Sequence, residues 1–119
     1  MKRFLLFMSF LTSFISFSAQ SDYYMRQARS YQREAEYYTK QAQGYDKEAS
    51  FYNRQAQRFF REAEYYLKRE KYDLVRISQR KAKDASDKAE SYKRKADCAR
   101  DKAKSYMRKA KNALQNEKK

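Results

Sequence analysis

The sequence predicts an all-α protein of long amphipathic helices with Ala/Tyr heptads, with an antiparallel helical hairpin as the expected architecture and a single long coiled-coil rod as the alternative. Three observations carry this. From residue 23 onward the chain repeats every fourteen residues, and each repeat is two heptads with an aromatic at one seam position and Ala at the other. A strict seven-residue apolar spacing makes a straight stripe on a helix that must be covered by another helix. The 119 residues include one Gly and no Pro, so little in the composition interrupts a helix. Finally, the repeats fall into two blocks whose phases do not match.

Residues 1–19 read as a signal peptide: Lys2 and Arg3 precede an apolar run from Phe4 to Phe17, followed by the small residues Ser18 and Ala19. The run is shorter than the roughly 20 apolar residues of a membrane span. Cleavage is expected after Ser18 or Ala19, which makes the mature protein secreted, periplasmic or cell-surface. The alternative is a membrane anchor formed by an uncleaved signal.

The first helical block covers residues 20–72. Its 14-mers are YYMRQARSYQREAE, YYTKQAQGYDKEAS and FYNRQAQRFFREAE, beginning at Tyr23, Tyr37 and Phe51. Naming the alanines position a and the rings position d, the seam alternates Tyr24, Ala28, Tyr31, Ala35, Tyr38, Ala42, Tyr45, Ala49, Tyr52, Ala56, Phe59 and Ala63, with Tyr66 one heptad beyond Phe59.

The second block covers residues 73–114, with a frayed tail expected over 115–119. Its seam is Ala82, Ala89, Ala96, Ala103 and Ala110, alternating with Ala85, Tyr92, Ala99, Tyr106 and Ala113. Ala63 and Ala82 are not separated by a whole number of heptads, so an unbroken helix would swing its stripe around its own surface. A turn at Arg69 to Asp73 removes that conflict, with Asp73 expected to cap the second helix.

Folding back about residue 70 sets large against small. Tyr52, Tyr45 and Tyr38 then face Ala89, Ala96 and Ala103, while Ala49 and Ala35 face Tyr92 and Tyr106. The same register sets Glu62, Glu48 and Glu34 near Lys81, Lys95 and Lys109, a set of expected ion pairs that selects register more than it holds the fold. Because the core is one seam thick, dimers or higher assemblies are expected to add stability.

Charge and composition bound the function. Lys and Arg number 29 against 15 Asp and Glu, a net +14, and there is no His and one Cys. The residues that build metal clusters, phosphate-cradling loops and nucleophile elbows are mostly missing. No enzyme activity, cofactor or small-molecule substrate is expected. The surplus of positive charge is nine over residues 73–119 and three over 20–72, which favours anionic polymers or an anionic membrane surface as contacts.

Candidate polyanion contacts are the outward row Arg26, Arg33, Lys40, Lys47, Arg54 and Arg61, continued by Lys68, together with Lys81, Lys88, Lys95, Lys102 and Lys109 beside the second seam. Next to the outward row stand Tyr23, Tyr37, Phe51 and Tyr65. Rings interleaved with cations can stack on bases or sugars, but each ring can equally pack on the cation three residues on, as Tyr65 on Lys68. Cys98 faces outward and is a candidate for an intermolecular disulfide. The expected function is an exported, non-catalytic coiled-coil protein with a structural or interaction role at the cell envelope or outside the cell. Its expected partner is itself or another helical protein. The alternative is a basic helical binder of nucleic acid or acidic glycans.

Overall fold

The computed structural model describes residues 19–117; residues 1–18 of the expected signal peptide and Lys118–Lys119 lie outside them. Two helices follow one another: α1 (Ala19–Lys68) and α2 (Tyr72–Glu117). The chain is an antiparallel helical hairpin, and the continuous rod does not form. α2 runs three residues into the tail expected to fray.

The reversal takes three residues, 69–71. The Lys71 N–H donates to the Tyr66 carbonyl and the Glu70 N–H to the Leu67 carbonyl, each at 3.0 Å, and Glu70 has φ 59°. This is the Schellman closure, in which one left-handed residue lets the last carbonyls of a helix find donors. Such a residue is usually Gly; here it is Glu, which costs on the order of 1 kcal/mol. The Val75 N–H then donates to the Lys71 carbonyl at 3.1 Å, opening α2. Lys71 is therefore the cap. Asp73 lies inside the first turn and binds Arg76, correcting its expected role: the closure uses residues up to Lys71, so α2 starts before Asp73 is reached. Its charge still suits the positive end of the helix.

The chain forms two compact units, one of the described residues up to Tyr38 and from Asp101 onward, the other of Thr39–Arg100. In the second unit, which contains the turn, Ala42, Ala96 and Ala99 form a buried cluster with Tyr45 packed against it. Ala49, Ala56, Ala63, Ala82, Ala85 and Ala89 are buried too. Val75 and Ser78 are also buried, so the α2 seam begins one heptad earlier than the alanines reveal. In the other unit Met25, Ala28, Ala110, Ala113 and Leu114 form the cluster, covered by Tyr31, and Ala35 and Ala103 are buried.

The seam rings are half-buried, while the alanines between them are closed to solvent. The size mismatch explains this. Methyl-lined helices approach toward the small end of the usual interaxial distances, leaving no room for phenol rings between the axes, so the rings lean out along the edge of the contact.

Candidate functional site

The leaning rings form the same arrangement in both units. In the second unit Tyr92 lies between two α1 rings, stacked on Tyr52 at 5.7 Å and 5° and tilted on Tyr45 at 6.2 Å and 33°. In the first, Tyr106 stacks on Tyr38 at 5.7 Å and 7° and tilts on Tyr31 at 6.2 Å and 33°. One α2 ring at every fourteenth residue thus falls between two α1 rings seven residues apart. Such offset contacts add about 0.5 to 1.5 kcal/mol beyond area burial. In the next repeat toward the turn, the corresponding α2 position is the buried Ser78.

The α2 lysines lie on these rings. In the second unit Lys81 is 5.8 Å from the Phe59 centroid, Lys88 is 5.4 Å from Tyr52, and Lys95 is 5.0 Å from Tyr92 and 6.0 Å from Tyr45. In the first unit Lys102 is 5.3 Å from Tyr38, and Lys109 is 4.9 Å from Tyr106 and 5.9 Å from Tyr31. This corrects the expected ion pairs: among the described residues Glu34, Glu48 and Glu62 do not bridge to Lys109, Lys95 and Lys81. The half-buried rings occupy the edge between the helices, so each lysine holds its ammonium over a ring. At exposed sites such a contact contributes about 0.5 to 1 kcal/mol.

The opposite edge carries an interhelical ion pair that the sequence reading did not weigh. Arg100 Nη1 donates to Asp46 Oδ2 at 2.7 Å, and its Nη2 donates to Asp97 at 2.7 Å and to Asp46 Oδ1 at 3.5 Å. The hydrogen bond to Asp46, then that to Asp97, raises the Arg100 pKa above its ordinary value, against the lowering effect of desolvation. Position e on α1 faces position e on α2 across this edge, but the register alone sets Asp46 level with Lys93, so spacing would not have singled out Arg100 as its partner.

The outward rings Tyr23, Tyr37, Phe51 and Tyr65 are exposed, and each meets the following seam ring edge-on at 5.2 to 5.4 Å. Tyr65 also carries Arg69, 4.3 Å above its centroid, in place of the expected Lys68. Of the outward cations, Arg26 donates to the Asp22 carbonyl at 3.4 Å, and Arg33, Lys40, Lys47, Arg54 and Arg61 are exposed. The Cys98 thiol is free and exposed. Among the described residues no helix is long and apolar enough to cross a membrane.

The site is therefore a set of helix edges and outer faces: a seam of methyl groups, an edge of lysine-covered rings, an edge with an ion pair, and an outer row of cations and rings. No family model, curated protein or solved structure matches the chain.

Proposed function

We propose that this is an exported, non-catalytic coiled-coil protein whose role is structural or one of interaction at the cell envelope or outside the cell. The observation that carries the reading is the repeated three-ring stack between alanine layers. It commits the seam side chains of both helices to holding a hairpin and leaves the outer faces as the working surface. Export rests on the layout of residues 1–19. The test is to express the full chain in a secreting host and determine the N-terminus of the recovered polypeptide. A start at Ala19 or Gln20 outside the cytoplasm supports the reading, and an intact Met1 on a protein retained inside the cell removes export.

A second reading, a binder of nucleic acid or acidic glycans, is favoured by the lysines that crown the rings. Lys81, Lys88, Lys95, Lys102 and Lys109 are exposed, each with its ammonium over an aromatic ring. Binding of this kind falls steeply with salt because phosphate or sulfate contacts release counterions. Elution from a heparin column at low salt would exclude it.

A further inference from the structure

We infer that the hairpin end is an interface for a second copy of this chain. The inference rests on the helix-pairing reading above and names its partner. On the edge that carries Arg100 and Asp46, the e positions nearest the turn are Asn53, Phe60 and Leu67 on α1 and Tyr72, Gln79 and Ser86 on α2. All six are uncharged in a chain that is 37% charged. Three are large and open to solvent: Phe60 at 51%, Leu67 at 54% and Tyr72 at 59%. A charge-free aromatic and aliphatic strip at the seam's flank is the composition of an interface centre, where charged residues are depleted.

The charges around the strip select the occupant. Counting outward from the turn at 69–71, Leu67 lies level with Tyr72, Phe60 with Gln79, Asn53 with Ser86, and Asp46 with Lys93. Glu64 and Arg76, which flank the strip on α1 and α2, are level as well. Two hairpins related by a two-fold axis along their length, with turns pointing the same way, lay each α1 on the other's α2. The levels then become contacts between copies: Leu67 on Tyr72, Phe60 on Gln79, Asp46 beside Lys93 and Glu64 beside Arg76. Opposite charges meet at both margins, and each acts twice because the patch is isologous. The opposite edge lacks such a strip, since its lysines already lie over the rings of their own hairpin. The strip is small, which places the dimer among weak, transient interfaces. Net charge opposes it at low salt, where weaker screening lets the repulsion between copies reach farther.

The experiment is sedimentation equilibrium of the full chain across protein concentration, at low and at near-physiological salt, with helicity followed by circular dichroism. The expected result is a monomer–dimer equilibrium that strengthens with salt, the reverse of polyanion binding. The pair Phe60→Glu and Leu67→Glu should weaken it by about tenfold or more with helicity unchanged, whereas Leu74→Glu with Ile77→Glu, on the other side of the hairpin end, should not. In a Cys98→Ser background, mixing Phe60→Cys with Gln79→Cys should give a disulfide between copies faster than either variant alone. A helical chain that stays monomeric throughout overturns the inference and leaves the hairpin reading standing. Equal losses from both double variants, no preference for the mixed disulfide, or capture of the Phe60 and Leu67 strip by anionic vesicles without self-association would each overturn it too.

Discussion

Arg100 joins two helices through Asp46, fifty-four residues earlier in the chain, with Nη1 and Oδ2 2.7 Å apart. Both side chains are more than one-third exposed, so solvent screens the pair. Arg100→Ala is therefore expected to lower stability by only about 0.5 kcal/mol, with the loss shrinking as salt rises. The pH sign follows from the raised Arg100 pKa. A cation whose pKa is raised on folding stabilises fully below its unfolded-state pKa and loses that contribution as pH climbs through the folded value. Between about pH 6 and 9 the difference in melting temperature between parent and variant should consequently stay flat with respect to this group. A difference that grows with salt would contradict the assignment.

The left-handed residue at the turn gives a prediction of opposite sign. Glu70 adopts φ 59° while its N–H closes on Leu67. Glu70→Gly removes the Cβ penalty and keeps the backbone hydrogen bonds. It should stabilise by about 0.5 to 1 kcal/mol after allowing for the greater freedom of Gly in the unfolded chain. Glu70→Val should destabilise, because a branched Cβ tolerates that conformation least. Urea unfolding of the three proteins orders them, and a Gly variant no more stable than the parent would mean that Glu70 has a compensating contact.

Much of this architecture was legible before any coordinates. The phase slip between Ala63 and Ala82 located the reversal to within two residues, because a helix cannot carry one straight stripe through a nineteen-residue interval. The placing of Tyr92 between Tyr45 and Tyr52 follows from the same register. What the pattern concealed was local competition. Lysine and glutamate at g looked like partners on spacing alone, but the rings fill that edge and the lysines cover them. Asp73 had the chemistry of a cap, yet the Schellman closure used the positions before it. Val75 and Ser78 escaped notice because neither resembles the Ala and Tyr that mark the seam elsewhere.

Gly44 is the chain's one glycine and sits inside α1, where a Cβ would meet nothing within 4 Å. Nothing about its backbone requires glycine, as its φ is not positive. Gly44→Ala should therefore raise stability by about 1 kcal/mol through helix propensity alone, a rise of roughly 4 to 8 °C for a domain of 60–100 residues. Thermal melting by circular dichroism measures it. No gain would point to a role for the gap itself, beside the outer rings of Tyr37 and Phe51.

The alternation of ring and methyl layers is tested most directly by inverting it. Ala42 is 2% exposed and shares its layer with Ala96 and Ala99, so Ala42→Leu forces a branched side chain between two backbones held at close approach. Overpacking of this kind costs about 1 to 3 kcal/mol. Tyr92→Ala removes the middle ring of three. Its half-exposed position should hold the loss to about 2 kcal/mol, below the 3 to 5 typical of a fully buried aromatic. Phe51→Ala, at an exposed outer ring that meets Tyr52 edge-on, should cost about 0.5 kcal/mol. The order of the three is the informative quantity. If the methyl layer fixes how closely the helices approach and the rings merely cover its edge, Ala42→Leu should lower the melting temperature at least as much as Tyr92→Ala. If the rings themselves hold the helices apart, the added leucine would find space and Ala42→Leu would melt no lower than the parent.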